Sequence, residues 1–366
     1  PYARSDWLIQ ELDAMRTASI ETDGSSVVSQ WADQSGNSNH ATTALGNVVY
    51  VDENHLASGV AGIDFGANRN SLQLFDAVSS ANWLDQTSSN GFAAMVAFRC
   101  DSVNTNDWND LIGNSTTTGS GFGLRYSKAG VLQAYLGGTA VNRSANPVQA
   151  GDTVLYAFNY DAVAGEYVFW DSLNNSSVTQ SVAASDFSNG SAVMLGSFGN
   201  ASRYFNGSVG AVQIYGRTLT DAQFVAERDA LMTKWMQPVS DYTTWAGFWG
   251  EQIGSETDDV DDDGLENLGE YALGGDPVNG ADQGVSPTFR YADGDFEYVY
   301  PHRAADSSLV YTLESCTNLA SGIWTNANVT VSGTNDTGGS LNFITNEIPM
   351  VHANEFIRLI VEDTQP

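Results

Sequence analysis

The twelve residues from Asp259 to Glu270 read Asp-Val-Asp-Asp-Asp-Gly-Leu-Glu-Asn-Leu-Gly-Glu. Carboxylates stand at positions 1, 3 and 5, a glycine at 6, an asparagine at 9 and a glutamate at 12. Calcium takes six to eight oxygen ligands in a flexible geometry, and this order of residues matches the twelve-residue calcium-binding loop. The pattern predicts a Ca²⁺ site whose ligands are Asp259, Asp261, Asp263, the backbone carbonyl of Leu265, Asn267 and Glu270.

The alternative interpretation of this segment is a solvated acidic loop that precedes a helix, where negative charge near the N-terminus is favourable. Six matching positions at fixed offsets favour the metal site. A regulatory calcium sensor usually pairs two such loops, and this chain has one. We therefore expect a structural ion that stabilises a linker between two β-domains.

The chain shows none of the local spacings that are typical of a catalytic centre. Its four histidines do not occur at the spacing of a metal or catalytic motif. Neither a His-Glu-x-x-His, a Gly-x-Ser-x-Gly nor a phosphate-binding glycine motif occurs. Glycoside hydrolysis needs two carboxylates that flank the scissile bond, and no closely spaced Glu-x-Asp-x-x-Glu run is found. A site assembled from distant residues stays open, because catalytic groups meet in space and not in sequence. We predict no catalytic residues.

Two groups of residues are candidates for binding a glycan. Trp83 and Trp108 each stand beside Asn or Asp in loop-like sequence, and an indole face next to polar groups suits a sugar ring and its hydroxyls. The alternative is that both indoles fill the ends of a β-sandwich.

The second group lies in two acid-free stretches, residues 111–151 and 187–220, of a chain that has 44 acidic residues. Alternation along the first stretch turns Gln133 and Tyr135 away from the core, next to a basic residue of the partner strand. Basic side chains without acidic neighbours favour an anionic ligand such as a sulfated or uronic polysaccharide, although chance clustering is the alternative. The candidate ligand-binding residues are Trp83, Trp108, Arg125, Lys128, Gln133, Tyr135, Arg143, Arg203 and Tyr204.

The charge of the chain narrows the choice of partners. Its 366 residues include 44 acidic and 14 basic ones, and the net charge is -30. Such a polyanion repels nucleic acids and anionic membrane surfaces, so we expect neither as a partner. No run of 18 apolar residues predicts a membrane span. Cys100 and Cys316 form no metal motif, and we expect two buried free thiols, with a long-range disulfide as the alternative.

The elements that position these residues are mainly β-strands. Short apolar runs separated by turns rich in Gly and Asn predict an antiparallel sandwich over residues 1–237. We predict a helix over Trp7–Met15, a strand over Phe92–Cys100 and a closing helix that begins with a capping box of Thr220 and Gln223. Residues 238–285 are predicted to form a short helical calcium-binding linker, and residues 286–366 a small C-terminal β-domain.

Three segments resemble the laminin-G-like/concanavalin A-like lectin domains of bacterial secreted proteins. They are Val27–Asn37 (Val-Val-Ser-Gln-Trp-Ala-Asp-Gln-Ser-Gly-Asn), Ile63–Phe65 (Ile-Asp-Phe) and Val212–Tyr215 (Val-Gln-Ile-Tyr). Asp259–Pro277 is similar to the thrombospondin type-3 calcium-binding segments of polysaccharide-degrading enzymes from aquatic bacteria, and the tail resembles the small β-domain that often follows.

These resemblances imply a concanavalin A-like β-sandwich (a jelly roll), a calcium-binding linker and a small C-terminal β-sandwich. They also imply a secreted, non-catalytic carbohydrate-binding module of a polysaccharide-degrading system, with polysaccharide as ligand and a catalytic domain of the same polypeptide as a further partner. A marine bacterium fits the acidic composition. Two alternatives stay open: an adhesion or spacer protein that binds another protein, and a polysaccharide lyase or hydrolase with an unrecognised site.

Overall fold

The protein, analysed as a computed structural model, divides into two compact units, Pro1–Gln237 (unit 1) and Pro238–Pro366 (unit 2). The structure describes residues 7–56, 60–87, 90–103, 108–114, 121–197, 203–236, 241–249, 253–292, 295–303, 306–335, 341–349, 352 and 354–364. Among these residues, none of the helices has both the length and the apolar character that a membrane span requires.

Unit 1 is a sandwich of two antiparallel sheets. Its strands are β1 (Leu8–Asp13), β2 (Ile20–Thr22), β3 (Val28–Trp31), β4 (Ala41–Leu45), β5 (Val49–Leu56), β6 (Val60–Asp64), β7 (Ser71–Phe75), β8 (Phe92–Cys100), β9 (Asn109–Gly113), β10 (Phe122–Tyr126), β11 (Leu132–Leu136), β12 (Thr139–Arg143), β13 (Thr153–Asp161), β14 (Glu166–Asp171), β15 (Ser176–Ser181), β16 (Val193–Leu195) and β17 (Gly207–Tyr215). Its helices are α1 (Ala77–Leu84) and α2 (Asp221–Met236). One sheet has eight strands in the order β15-β14-β13-β8-β17-β6-β5, with β1 paired to β17. The other has nine in the order β12-β11-β10-β9-β16-β7-β4-β3-β2.

The core lies between these sheets and follows the period-two alternation of the strands. Val154, Tyr156, Phe158 and Tyr160 of β13 share one face and are fully buried. Phe92 stacks on Phe158 with ring centroids 5.5 Å apart. Each such side chain contributes about 1.5–3 kcal/mol when it leaves water. The prediction of a mainly β, concanavalin A-like sandwich is confirmed.

The prediction of a helix over Trp7–Met15 is wrong, because this segment forms β1. Its residues pair antiparallel with Ala211–Tyr215 of β17. On the side of β17 that faces away from β8, strand β6 pairs with Ser208 and Val209. Strand β1 supplies the partners for the rest of β17 on this side. The backbone hydrogen bonds of a central strand therefore outweigh the local helical pattern.

Helix α2 begins with the predicted capping box. The Gln223 amide donates to the Thr220 hydroxyl over 3.4 Å, and the Thr220 amide donates to the Gln223 side-chain oxygen over 2.9 Å. The helix packs on β13 and β8, which explains why both faces of those strands are buried. Trp235 fits tightly over Gly210, where a Cβ atom would lie 2.3 Å from the indole.

Unit 2 combines the acidic segment and the C-terminal strands. Its elements are α3 (Tyr242–Trp249), α4 (Asn267–Leu273), β18 (Thr288–Ala292), β19 (Asp295–Arg303), β20 (Leu309–Cys316), β21 (Thr325–Asn326), β22 (Thr330–Asn335), β23 (Leu341–Ile348) and β24 (Phe356–Asp363). The strands form a four-stranded sheet, β18-β19-β23-β22, and a three-stranded sheet, β21-β20-β24. The segments that the sequence separates at residue 285 thus lie in one unit.

Helix α4 is anchored on the strands of unit 2 by polar contacts. The Tyr271 hydroxyl donates to Asp306 over 2.8 Å, and the Tyr311 hydroxyl donates to the Ala272 carbonyl over 3.2 Å. Arg303 donates to the Tyr271 carbonyl and places its guanidinium carbon 4.4 Å from the centre of the Tyr271 ring. The acidic segment is therefore fixed to the β-domain through its helix. Both cysteines of the chain are buried and free, as expected.

Candidate functional site

The predicted calcium loop gathers three carboxylates. Asp259, Asp261 and Asp263 each offer an oxygen, and these oxygens lie within 4.8 Å of one another. Gly264 has a φ of +93°, which permits the sharp turn at this position, and its amide donates to Asp259 over 2.9 Å. The loop backbone thus turns the aspartates toward a common volume.

Glu270 of α4 lies close enough to these aspartates for their negative charges to act on its carboxyl group. Its side chain is only 1% exposed, and within the described part of the chain neither carboxylate oxygen has a hydrogen-bond partner. The same holds for both carboxylate oxygens of Asp261 and for Oδ2 of Asp263. Burial, followed by the negative charges of Asp261 and Asp263, raises the pKa of Glu270 to about 8. Buried carboxylates without partners are costly, and this donor set suits a hard cation.

Asn267 holds the loop in place. Its buried amide nitrogen donates to the carbonyl oxygens of Ile253 and Ser255, the latter over 2.7 Å, so it binds the preceding segment to α4. The predicted place of Asn267 in the ligand set stays a prediction, as does that of the Leu265 carbonyl.

A second turn that the sequence analysis did not single out covers the loop. Gln283 donates to the Asp263 carbonyl over 3.0 Å. At Gly280 a Cβ atom would lie 3.3 Å from the Asp261 carbonyl oxygen, so the two turns are in close contact. The buried Asp276 adds a further negative charge that raises the pKa of Glu270. Only the Asn-Gly and Gly-Ala-Asp-Gln-Gly turn residues signal this feature in the sequence.

On unit 1, a row of polar side chains crosses four strands of the nine-stranded sheet. Arg125 of β10 lies opposite Asp110 of β9 and Gln133 of β11, and Gln133 lies opposite Asn142 of β12. Arg125 Nε donates to Gln133 over 2.8 Å, and the Gln133 amide donates to Asn142 over 2.6 Å. Alternation places this row on the face that points away from the core, as predicted for Arg125 and Gln133.

Two aromatic rings enclose the arginine of this row. The guanidinium carbon of Arg125 lies 4.2 Å from the centre of the Trp108 ring and 4.6 Å from that of Tyr135. The Tyr135 ring lies directly over Gly123, where a Cβ atom would come within 2.3 Å of it. Trp108 is half-buried. We call Trp108, Arg125, Tyr135 and Gln133 the Trp108 cluster.

The lower layer of the Trp108 cluster is too buried to form the contact surface itself. Arg125 and Gln133 are each 6% exposed, and Tyr135 is 3% exposed. Their predicted direction is right, but their predicted role as direct ligand contacts is wrong, because neighbouring side chains cover them. They support Trp108, whose indole is the more exposed part.

Trp83 is not a ligand contact, contrary to prediction. It lies in α1, whose N-terminus is capped by Asp76, and not in a loop. Its side chain is 3% exposed and meets Phe75, Phe92 and Phe122 edge-on at centroid distances of 5.4, 5.2 and 6.3 Å. It is part of the core, as the alternative interpretation held.

The Arg143 side chain makes contacts within the fold. Its Nε lies 3.1 Å from the fully buried Asp171 carboxylate, and its Nη2 donates to the Ser176 hydroxyl over 2.6 Å. These contacts join β12 of one sheet to β14 and β15 of the other. Arg143 therefore closes the edge of the sandwich, and its predicted ligand contact stays a prediction. Lys128 is exposed in the turn between β10 and β11.

Arg203 and Tyr204 are half-buried and precede β17. The Ser197 hydroxyl donates to the Arg203 carbonyl over 3.0 Å and accepts a bond from Arg69 Nε at 3.4 Å. The backbone before this loop bonds to β9, the strand that carries Asp110. Gly196 therefore lies beside the β9 strand of the polar row. No described contact joins it to Trp108, so the roles of Arg203 and Tyr204 stay predictions.

Residues 67–224 match the model of the family described as the concanavalin A-like lectin/glucanases superfamily. The match lies within unit 1 and agrees with its concanavalin A-like sandwich fold. The matched residues of this domain include the strands of the polar row and Trp108.

Solved structures similar to the chain include parts of glycan-active proteins. Domain 4 of AbnA, a GH43 extracellular arabinanase from Geobacillus stearothermophilus in complex with arabinotriose, is 14% identical, with coverage of 60% of this chain and 98% of that domain and a TM-score of 0.41. Trypanosoma rangeli sialidase is 15% identical, with coverage of 59% and 32% and a TM-score of 0.40. The CBM40 of Ruminococcus gnavus IT-sialidase bound to α2,3-sialyllactose is 18% identical, with coverage of 46% and 95% and a TM-score of 0.35. No curated protein matches the sequence.

Proposed function

We propose that the protein is a non-catalytic carbohydrate-binding module whose concanavalin A-like domain binds polysaccharide at Trp108. The observation that carries the proposal is the position of this indole, half-buried at the edge of a polar row and stacked on Arg125. An aromatic face beside hydrogen-bonding groups suits the apolar face and the hydroxyls of a sugar ring.

The support beneath Trp108 favours binding because it holds the indole in one orientation. A guanidinium stacked on a Trp ring contributes about 0.5–2 kcal/mol, depending on how far it is desolvated. A side chain that is ordered before the ligand arrives avoids about 0.5–1.5 kcal/mol of ordering cost. The exposed Asn142 supplies a polar group on the neighbouring strand.

The polar row supports binding over cleavage. Hydrolysis of a glycosidic bond needs two carboxylates on either side of it. Among the described residues of the row across β9 to β12, Asp110 alone carries a carboxylate, and it is buried opposite Arg125. A lyase or hydrolase is therefore the weaker candidate, and the cleavage assay below tests it.

The anionic polysaccharide that the sequence favours stays a finer hypothesis within this proposal. Lys128 is exposed and Arg203 is half-buried, which favours it, whereas Arg143 pairs with Asp171. Matched neutral and sulfated polymers therefore belong in the binding panel.

We further propose that unit 2 binds one structural Ca²⁺ ion. Asp259, Asp261, Asp263 and Glu270 would hold it, and it would supply the positive charge that their buried oxygens need. Loops of this kind in extracellular modules are filled at roughly 0.1–1 mM calcium, which fits secretion. A catalytic domain in the same polypeptide would then benefit from the higher local concentration of polymer.

The test is a native affinity gel against neutral and sulfated algal, plant and animal polysaccharides, with reducing-end release measured on the same panel. Retardation by a polymer without cleavage is the expected result. Cleavage would overturn the non-catalytic assignment. The absence of both retardation and cleavage would favour an adhesion or spacer protein.

A further inference from the structure

Two of the basic side chains predicted to contact the ligand, Arg125 and Arg143, are already compensated within the fold. From this we infer that the site accepts an uncharged polysaccharide and discriminates against sulfated or uronic ones. The inference rests on the proposed function and names the ligand class of the same site.

Arg125 is the basic residue nearest to Trp108, and its charge is met locally. Asp110, which is 1% exposed, is the cross-strand partner of Arg125 in the pairing of β9 with β10. Gln133 accepts from Nε, and the rings of Trp108 and Tyr135 cover Arg125. A buried cation beside a buried anion and two rings presents little positive potential to solvent.

Arg143 is compensated in the same way. Its Nε lies 3.1 Å from the Asp171 carboxylate, whose side chain is fully buried, while the Arg143 side chain is 10% exposed. The buried Asp171 therefore offsets the charge of Arg143 before any ligand binds, which lowers the attraction of this arginine for a polyanion.

The charge of the whole chain acts in the same direction. With a net charge of -30, the protein repels polyanions unless a concentrated basic patch attracts them locally. Of the basic residues that the sequence places in this patch between residues 111 and 151, Lys128 is the one that the structure leaves exposed. One exposed lysine does not form such a patch, whereas stacking and hydroxyl contacts with an uncharged sugar are not opposed by the net charge.

The experiment compares two forms of one polymer, for example agarose or xylan and its chemically sulfated derivative, by titration calorimetry with the whole chain. We expect the neutral form to bind at least as tightly as the sulfated one. We also expect its affinity to change by less than about twofold between about 50 and about 500 mM NaCl, because few ionic contacts are screened. Tighter binding of the sulfated form would overturn the inference but leave the proposed function intact. If neither form of any polymer in the panel binds, the proposed function itself fails.

A charge-reversal variant separates local charge from folding. Lys128→Glu changes an exposed turn residue and should leave both the unfolding temperature and the affinity for the neutral polymer within about twofold of the wild type. A loss of neutral-polymer affinity greater than about tenfold, with the unfolding temperature unchanged, would contradict the inference, because it would show that the site depends on this positive charge.

Discussion

At the scale of single residues, the Trp108 cluster shows both what alternation predicts and what it leaves out. The period of two turns Gln133 and Tyr135 away from the core, and the structure places them there. Strand alternation does not predict which other side chains cover the outer face of the sheet. Here Trp108 covers Arg125 on that face. Local sequence also made Trp83 look like a loop residue, although a helix turns it into the core.

The positioning role of Arg125 leads to a first prediction. Arg125→Lys keeps the charge opposite Asp110 but removes the planar group that stacks on Trp108. We expect affinity for the bound polysaccharide to fall about fivefold, which corresponds to about 1 kcal/mol, with little change in unfolding temperature. Calorimetric titration measures this, and Arg217→Lys, which alters the arginine stacked on Trp7, is the control. Equal affinities of both variants would argue against the role of Arg125.

The core position of Trp83 leads to a second prediction. Trp83→Ala removes an indole packed against three phenylalanines and should lower the free energy of unfolding of unit 1 by about 3–5 kcal/mol. Urea unfolding followed by circular dichroism measures this. An unchanged stability together with lost polysaccharide binding would restore Trp83 as a ligand contact.

At the scale of elements, the strongest local signals predicted the structure well. The capping box of α2 and the run Phe92–Cys100 depend on neighbours in sequence, and both appear where predicted. Strand β1 depends on an edge of β17 that is some 200 residues away in sequence, so its own residues could not reveal it. The twelve-residue loop was predictable because its ligand positions are fixed by local spacing. The second turn over it was not, because its contacts join residues about 20 positions apart, such as Asp263 and Gln283.

The position of Glu270 leads to a third prediction, for the loop–helix element. Glu270→Gln removes a buried carboxyl group that is also a ligand of the proposed calcium ion. With a chelator present, the variant should unfold at a higher temperature than the wild type. With calcium present, the wild type should unfold at the higher temperature. Thermal unfolding of unit 2 with EDTA or with added Ca²⁺ measures both effects. Glu266→Gln, at an exposed position of the loop that is not a predicted ligand, is the control and should respond to calcium as the wild type does. A wild type that does not respond to calcium would contradict the metal site.

A fourth prediction concerns pH. In the metal-free protein the folded-state pKa of Glu270 is raised from its usual value of 4.5 to about 8. The folded protein disfavours the ionised form of this carboxyl group. The stability that the protonated group contributes is therefore fully present below pH 4.5 and is lost as the pH rises through about 8. The unfolding temperature of unit 2 in EDTA should therefore fall over this interval. In Glu270→Gln the fall should be smaller, and an equal fall in both proteins would assign it to other groups.

At the scale of the whole molecule, composition predicted the class of structure and of partner more reliably than the details of the site. Abundant glycine and short apolar runs indicated two sheets, and unit 1 has them. The net charge of -30 argues against polyanionic partners as a general matter. The basic residues between positions 111 and 151 predicted an anionic ligand instead. Contacts between distant residues, such as Arg143 with Asp171, offset part of this positive charge, and composition does not show such contacts.

The affinity of Trp108→Ala for the polysaccharide that the wild type binds tests the central proposal most directly. Trp7→Ala is the matched control, because Trp7 is also a half-buried indole of unit 1 stacked on an arginine. If Trp108 is the binding platform, its variant should lose at least about tenfold in affinity, in line with the effect of removing a central aromatic contact, while the Trp7 variant binds like the wild type. Wild-type affinity in a folded Trp108→Ala protein would contradict the account.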